Sequence, residues 1–485
     1  MSYIGLDVGT SGCKVAVLEE NGHVRVQSQR SYDLLYPAEG RVEIAPQTVW
    51  QAVRQALADV ASACLDARAL AVASIGEVLV LLDADDEPVA NSISYLDRRC
   101  TAELQQLEVL FGSTYLRQVT GMALDQTFSL NKLLWFRAQE PEILDKARHY
   151  HLFGDYIGYL LTGARMIDPS SASRTLLFDI RTNAWSHEIA DRCGVDLSRF
   201  SEIHPTGSSL GPIRPMLAEE LGLPASLTVY LGSHDQCCAA LGMGMLQPNQ
   251  AMLGMGSSGS LNILLSEAQD QQLLQLPNIC IEPYIIPGIK MLLMAQASYG
   301  TAIRWFAERY AAMLPQGSVY QQLDLNCPDK PSCAVFLPTL SGNGPCGETR
   351  FVAFAGIGLS TGPKELYRAL LEGLCMDSRT NIDRLEQAGI SISEICAAGG
   401  CTNSKLLLQL NADILEKPIV VSPGTQSGVT GLGMICAVAA GDCKSYVEAA
   451  ALFSQEQKAI RPDLRWQTQY QKNYQLFCAL QRLYA

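Results

Sequence analysis

The chain begins with a glycine-rich turn that has a carboxylate before it and an amine after it. In "YIGLDVGTSGCKVAVL" the turn "GTSG" (9–12) separates two apolar runs, with Asp7 on one side and Lys14 on the other. Glycine lets the backbone approach a ligand closely, and the N–H groups and hydroxyls of such a turn can bind a phosphate. The alternative is an ordinary β-hairpin, because short glycine-rich strings are common in turns.

Asp7 is not needed in a plain hairpin, where its carboxylate could only accept a turn hydrogen bond. Beside a phosphate its carboxylate would repel the ligand unless a divalent cation lay between them, which predicts Mg²⁺ bound through water. An Asx-type turn is the alternative. The role of Lys14 is also undecided, because a lysine at this position could contact a phosphate or could simply be a solvated strand residue.

Asp235 is the second carboxylate whose position suggests chemistry. In "LGSHDQCCAALG" it follows a strand and begins a helix, where an acid is often only a cap. Beside ATP it could instead accept the proton of a substrate hydroxyl as the γ-phosphoryl group transfers. His234 and Gln236 flank it and could bind substrate hydroxyls, although His234 fits a simple helix start equally well.

A third segment, "AAGGCTNSK" (397–405), places two glycines between a strand and a helix start. Backbone without side chains would let a flat adenine ring lie against it. Any strand–helix turn can have the same composition, so this segment alone does not identify a nucleotide site.

The elements that must position these groups alternate between strand and helix. Apolar patterns predict strands in "YIGLDVG", "CKVAVLE" and "ALAVASI", a mainly helical block over 101–165, and a strand in "LTVYLG" that breaks at Gly232. In the second half, "KELYRALLEGLCMDSRTNIDRLEQAG" predicts a long amphipathic helix. "GVTGLGMICAVAAG" predicts a small-residue helix suited to close packing. The alternation predicts an α/β fold.

The N-terminal turn has an echo 247 residues further along the chain. "LDVGTSGCKVAVL" (6–18) aligns with "LGMGSSGSLNILL" (253–265), just after the polar link "QPNQ" (247–250). Only the first copy carries charge, because Gly254 and Leu261 stand where Asp7 and Lys14 stand. The repeat predicts two similar α/β domains, 1–246 and 247–485, facing a central cleft and able to hold a polyphosphate from both sides.

Composition excludes several classes of protein. The chain has 48% hydrophobic and 18% charged residues, a net charge of −13 and no basic run, so nucleic acid is not an expected partner. No apolar run reaches membrane-spanning length, and a strand begins within three residues of the start, leaving no room for a signal peptide. The 16 cysteines are scattered through apolar runs, as reduced thiols would be. We therefore predict a cytoplasmic protein.

Taken together, these motifs resemble those of the FGGY carbohydrate kinase family. "GLDVGTSGCKVAVL" is similar to the family's first phosphate hairpin, "GMGSSGS" to its second, "GSHDQCCAALG" to the catalytic segment and "AAGGCTNSKLLLQLNADILEKPIVV" to the adenosine segment. "TGMALDQTFSLNKLLWFRAQEPEIL", "GDYIGYLLTG" and "DPSSASRTLLFDIRTNAWS" resemble its N-domain stretch. The match runs nearly end to end, and the joint order of the motifs makes it specific.

The resemblance implies two ribonuclease-H-like domains of the actin-like ATPase fold and transfer of the ATP γ-phosphate to a sugar or polyol. It makes Asp235 the general base and, with Asp7, a residue of the Mg²⁺ site. Glu77, Asp97 and Arg99 become substrate-side candidates beside His234 and Gln236, with a local ion pair as the alternative for Asp97 and Arg99. The nucleotide contacts it implies are Gly9, Thr10, Ser11, Lys14, Gly256, Ser257, Ser258, Gly399, Gly400, Asn403 and Ser404.

The chain also departs from the family pattern. "GNGPCGE" (342–348) stands where relatives often have Gly-Glu-Arg-x-Pro, the adenosine loop reads Gly-Gly-Cys, and Ser257 replaces a usual Thr. "GEV" (76–78) is not the Gln-Met-His of xylulokinases, although xylulokinase-like members are the nearest in general pattern. A ketopentose such as xylulose is therefore the leading substrate among sugars and polyols, and the resemblance implies a homodimer.

Two rival functions follow from the same features. One is a non-metabolic ATPase or scaffold on the actin-like fold, which would use water as acceptor and need no sugar-side acids. The other is a dinucleotide enzyme, which the absence of GxGxxG after the first strand argues against.

Overall fold

The computed structural model describes residues 1–256, 259–266, 269, 273–276, 278–296, 299–310, 319–338, 352–422, 426–453 and 457–484. The chain divides into two compact units. The first unit consists of Met1–Leu246, Cys280–Met291 and Thr425–Ser454, and the second of Gln247–Ile279, Leu292–Gly424 and Gln455–Ala485. Two segments from the second half of the sequence therefore complete the first unit.

The first unit is built on a six-stranded sheet. Its strands run in the spatial order Val24–Ser31, Gly12–Glu19, Ser2–Val8, Ala67–Ser74, Thr228–His234 and Ser209–Pro212. The first three pair antiparallel, whereas Ser2–Val8, Ala67–Ser74 and Thr228–His234 run parallel. Alternate apolar side chains of the central strands, such as those of Ile4 and Leu6, are fully buried in the core.

The second sheet repeats this order. It has seven strands, in the order Cys280–Pro283, Ile289–Gln296, Gly259–Ser266, Ala251–Met255, Ile395–Ala398, Ile419–Val421 and Lys458–Ile460, and the last six match the strands of the first sheet. The repeated order confirms the predicted α/β class with two ribonuclease-H-like units. The two echo hairpins differ in register, since Val8 pairs with Cys13 in the first and Met255 pairs with Gly259 in the second.

The remaining strands are short, and the helices follow the predicted pattern. The other strands are Glu43–Ile44, Leu79–Leu82, Ser92–Ile93, His149–Leu152, Met166–Ile167, Phe178–Asp179, Ala184–Trp185, Glu202–Ile203, Val335–Leu337 and Ala353–Ala355. The α-helices are Pro46–Val60, Thr101–Phe111, Ser113–Thr120, Ser129–Gln139, Pro141–Lys146, Phe153–Thr162, Pro169–Ser173, His187–Cys193, Pro215–Leu221, Asp235–Gly242, Tyr299–Tyr310, Val319–Asn326, Pro363–Gln387, Lys405–Leu415, Ser427–Ala439, Tyr446–Phe453 and Gln467–Tyr484. The mainly helical block over 101–165 and the long helix of the second half are confirmed.

The predicted break of a strand at Gly232 is wrong. The strand Thr228–His234 continues through Gly232, and its pairing with Ala67–Ser74 shifts register between Leu231 and His234. A Cβ on Gly232 would lie 1.9 Å from the carbonyl oxygen of Val72. Glycine is therefore needed here for a close approach of two strands, not for a chain reversal.

The small-residue helix Ser427–Ala439 packs as closely as the sequence predicts. A Cβ on Gly431 would lie 2.0 Å from the carbonyl oxygen of Cys238, and one on Gly242 would lie 1.9 Å from that of Ser427. Gly5, on the other side, would bring a Cβ to 2.9 Å from the Val429 carbonyl oxygen. These contacts fix the helix Asp235–Gly242, whose first residue is the predicted base.

Two further expectations concern the cysteines and the membrane. The structure describes fifteen cysteines, all of them free and nine of them buried, an arrangement consistent with the prediction of reduced thiols. Within the described ranges, no helix combines the length and the apolar character that crossing a bilayer requires.

Gly431→Ala tests the glycine contact between the two helices. The added methyl would meet backbone, which cannot move as a side chain end can, so we expect a loss of about 3 kcal/mol in unfolding free energy, the upper end of the usual cost of overpacking. Gly358→Ala is the control, because a Cβ there has nothing within 4 Å. Equal urea midpoints for the two variants would contradict the packing argument.

Candidate active site

Asp235 lies at the first position of the helix Asp235–Gly242, directly after the strand Thr228–His234. Its side chain is 26% exposed, whereas that of His234 is 5% exposed. The Nε2 atom of His234 lies 3.2 Å from Oδ1 of Asp235. The predicted base is therefore open to a ligand and contacted by a buried imidazole.

Behind His234 lies Glu282, a carboxylate with no exposed side-chain surface, on the strand Cys280–Pro283. Nδ1 of His234 is 2.8 Å from Oε1 of Glu282, and the Cys237 thiol donates to the same oxygen at 3.1 Å. Nη1 of Arg174 is 3.4 Å from Oε2. Burial opposes ionisation of Glu282, but the charge and hydrogen bond of His234, together with Arg174, hold its pKa below the ordinary value.

Arg174 connects this carboxylate with Glu77. Its Nη2 atom pairs with Oε1 of Glu77, and its guanidinium lies 5.1 Å over the ring of Phe128. A Cβ on Gly76 would lie 2.6 Å from Cγ of Arg174, so glycine makes room for the arginine. We call Glu77, Arg174, Glu282 and His234 the buried ion network.

The ligand atoms of His234, Cys237 and Glu282 all lie within 4.8 Å of one another, a spacing that a metal ion could use. Arg174 already pairs with Glu282, and both His234 and Cys237 already contact it. The charge and hydrogen-bonding needs of the carboxylate are thus met by protein groups.

The backbone of Glu77 is held from the helix Ser129–Gln139. Its carbonyl oxygen accepts hydrogen bonds from Lys132 Nζ at 2.7 Å and from Ser129 Oγ at 3.1 Å. Both donors are fully buried. Burial lowers the pKa of Lys132 to about 7, although Cys100, Asp97 and Asp125 oppose the shift.

A group of hydroxyls holds the junction before the predicted base. Asp168 caps the helix Pro169–Ser173 and also accepts a hydrogen bond from Ser233 Oγ at 3.1 Å. Ser170 Oγ is 2.7 Å from Ser233 Oγ and accepts the backbone N–H of His234 at 3.0 Å. In the sequence, Asp168 followed by Pro169 indicates a helix cap, but no neighbouring residue indicates that Asp168 contacts Ser233.

Asp7 lies near Asp235, on the strand Ser2–Val8. Its Oδ1 atom is buried and has no hydrogen-bond partner among the described residues. Burial and, second to it, the charge of Asp235 raise the pKa of Asp7 to about 7, while Lys14 opposes the shift. Lys14 is its cross-strand neighbour, and a Cβ on Gly428 would lie 3.1 Å from Oδ2.

The turn of the first hairpin is closed by backbone and by a tyrosine. Gly9 N–H donates to the carbonyl oxygen of Gly12 at 2.9 Å, and the Tyr32 hydroxyl donates to that of Gly9 at 2.5 Å. Thr10 Oγ1 donates to the Tyr95 hydroxyl at 3.3 Å, and Ser11 is exposed. Tyr32 was not a candidate in the sequence, since it lies twenty residues from Gly12.

Asp97 and Arg99 form the local ion pair that the sequence left open. Arg99 Nη2 lies 2.7 Å from Oδ2 of Asp97 and 2.8 Å from Oε1 of Glu43. Asp97 also accepts the backbone N–H of Val42 at 2.6 Å and is 3% exposed. Gln236 follows Asp235 in the helix and is half-buried.

In the second unit the structure brings Gly256 and Gly399 together. A Cβ on Gly399, which has φ +104°, would lie 3.0 Å from the backbone nitrogen of Gly256. Gly400 and Asn403 are exposed, and a Cβ on Gly400 would meet nothing within 4 Å. Ser404 caps the helix Lys405–Leu415, and its hydroxyl donates to Asp324 at 2.6 Å.

Two groups of predicted residues lie outside the described residues. These are Ser257 and Ser258 of the second hairpin and the segment 342–348.

The chain matches a known family along most of its length. Residues 2–242 match the N-terminal domain, and residues 251–440 the C-terminal domain, of the FGGY family of carbohydrate kinases. The chain is 28% identical to a xylulose kinase of Escherichia coli over 497 residues, covering 99% of this chain and 98% of that one. It is also 28% identical to an autoinducer-2 kinase of Yersinia enterocolitica, covering 97% and 90%.

A solved xylulose kinase structure from Rhodospirillum rubrum superposes with a TM-score of 0.89 at 25% identity, covering 99% of this chain and 98% of that one. The chain belongs to the FGGY family of carbohydrate kinases. The predicted activity, that of a sugar or polyol kinase, is thereby confirmed. Membership implies ATP as a substrate and a small-molecule carbohydrate as acceptor.

Lys132→Met tests the buried amine beneath Glu77. The folded-state pKa of about 7 lies below the ordinary value of 10.5, so above pH 7 the unfolded chain binds more protons at this site than the folded one. The wild-type unfolding free energy should therefore rise relative to that of Lys132→Met between pH 7 and pH 9. The expected slope is up to about 1.4 kcal/mol per pH unit.

Urea titrations at pH 7 and pH 9 measure this difference, with the exposed Lys146→Met as control. A pH-independent difference between wild type and Lys132→Met would show that the buried amine stays charged.

Proposed function

We propose that this kinase transfers the γ-phosphoryl group of Mg-ATP to a hydroxyl of a neutral sugar or polyol, with a ketopentose such as xylulose as the first candidate. The observation that carries the proposal is the partly exposed Asp235 carboxylate beside the buried ion network. An acidic acceptor would meet the carboxylates of Asp235 and Glu77, whereas Arg174 is already paired with Glu77 and Glu282. The xylulose kinases among the relatives support the same class.

In this proposal Asp235 is the general base. It takes the proton of the acceptor hydroxyl as the oxygen bonds to the γ-phosphorus, the bond to the β-phosphate oxygen breaks, and ADP leaves. Glu77, His234 and Gln236 would contact acceptor hydroxyls. Asp97 and Arg99 remain proposed substrate-binding residues. Because they pair with each other, we propose that they form part of the wall of the sugar site and do not supply free hydrogen-bond donors.

Asp7 and Asp235 are the residues that would hold Mg²⁺. The buried, unpartnered Oδ1 of Asp7 and the mutual repulsion of the two carboxylates fit a divalent cation, and fit a contact made through water. Bound with ATP, the ion would neutralise phosphate charge.

The remaining predicted contacts divide between the two proposed domains, 1–246 and 247–485. In the first, we propose phosphate contacts from Gly9, Thr10, Ser11 and Lys14. In the second, we propose phosphate contacts from Gly256, Ser257 and Ser258, and adenosine contacts from Gly399, Gly400, Asn403 and Ser404. A homodimer in the cytoplasm completes the proposal.

A coupled assay of ADP release with pentoses, ketopentoses, hexoses, polyols and aldonates tests the function. We expect turnover with neutral acceptors only, and Asp235→Asn should lower kcat by about 10³-fold while ATP binding changes little. Asp191→Asn, an exposed acid, is the control. An acceptor-independent ATPase would support the scaffold alternative, and retained turnover would remove Asp235 as the base.

Asp7→Ala tests the cation site. The Mg²⁺ concentration for half-maximal rate should rise by about tenfold or more, because residues that act through a bound water typically contribute that much to metal affinity. The KM for the sugar should stay near the wild-type value. Rates at fixed ATP and varied free Mg²⁺ measure the effect, and an unchanged Mg²⁺ requirement would contradict the assignment.

A further inference from the structure

Glu282 is a buried carboxylate to which the proposed transfer step gives no role. It has no exposed surface and lies in an apolar segment, "CIEPYII" (280–286). Burial of a carboxylate is unfavourable unless paired charges and hydrogen bonds offset it, and an apolar residue often packs as well or better. Here the offset comes from Arg174, His234 and Cys237. Folding alone therefore does not explain the acid.

The imidazole of His234 has a carboxylate at each ring nitrogen. Oε1 of Glu282 is 2.8 Å from Nδ1, and Oδ1 of Asp235 is 3.2 Å from Nε2. Rotation of the ring would break the shorter contact inside a fully buried site, so Glu282 keeps Nε2 directed at Asp235. A carboxylate held at Oδ1 presents its other oxygen, Oδ2, in one direction.

We propose that Glu282 is a positioning residue for phosphoryl transfer: it fixes the ring of His234 and, through it, the carboxylate of Asp235. The inference rests on the proposed function, in which Asp235 accepts the proton of the acceptor. Glu282 contacts neither the acceptor nor the reacting atoms. Glu282 would increase the fraction of bound complexes in which Oδ2 of Asp235 lies within hydrogen-bond distance of the acceptor hydroxyl.

Arg174 extends the same constraint to the acceptor side. Its two terminal nitrogens pair with Glu282 and with Glu77, so the carboxylate behind His234 and the proposed sugar-binding carboxylate are held by one guanidinium. A planar guanidinium fixes the angle between its partners, which an ammonium would not do.

Glu282→Gln tests the inference with the acceptor found in the sugar panel. The amide is isosteric but uncharged, and we expect kcat to fall by about 10- to 100-fold with the KM values for ATP and sugar within about twofold. The matched control is Glu372→Gln in the second unit. Glu372 is likewise buried and lies 2.6 Å from an arginine, Arg368, so this variant should lower stability and leave kcat near wild type.

Combination with His234→Gln separates positioning from general damage. Because Glu282 acts through His234, the double variant should be no slower than the slower single variant, whereas independent effects would multiply. If Glu282→Gln does not fold, as judged by circular dichroism and thermal melting, Glu282→Asp takes its place in the same comparisons.

The outcomes are distinct. A wild-type kcat for Glu282→Gln in an active kinase, or multiplied losses in the double variant, overturns the positioning role and leaves the proposed function intact. A wild type that phosphorylates no acceptor overturns the proposed function and this inference with it. A reduced kcat with unchanged KM values and no further loss in the double variant supports it.

Discussion

The arrangement around Asp235 depends on keeping a fully buried carboxylate charged and paired. Glu282 draws together three other segments: the arginine after the helix Pro169–Ser173, the histidine before Asp235 and the thiol one turn further on. Because removing one partner from a buried ion pair leaves an uncompensated charge, these segments can shift only together. The geometry of the base is therefore tied to Glu77, 97 residues before Arg174.

A second constraint acts on backbone rather than on charge. The glycines at positions 5, 242 and 431 let the helix Ser427–Ala439 lie directly on the helix that begins with Asp235 and on the strand that carries Asp7. Interiors are packed densely enough that such contacts fix helix position to fractions of an ångström. The helix Ser427–Ala439 therefore packs against both elements that carry these carboxylates. It contacts the backbone of the helix that begins with Asp235, and its first turn lies beside Asp7.

Local motifs were sufficient to predict the elements that carry several of the candidate site residues. The hairpin, Asp7 and the Asp235 helix start each depend on a few consecutive residues, so a short stretch of sequence is enough to place their elements. Glu282 and Arg174 could not be found in this way, because their contact spans 108 residues and neither has a distinctive neighbour. The strand end at Gly232 was misplaced for a related reason: pairing with a distant strand, not local chain preference, decides where it stops.

The first unit contains a helix that is synthesised long after the sheet on which it packs. Its sheet strands lie before residue 235, but the helix over Gly5 spans Ser427–Ala439. During synthesis at about 5–20 residues per second, that sheet face therefore waits ten seconds or more for its cover. A nascent chain in this state exposes the apolar face of the sheet, which chaperones can bind. A protein fragment ending at residue 246 would lack the helix Ser427–Ala439 altogether, so this face would stay exposed.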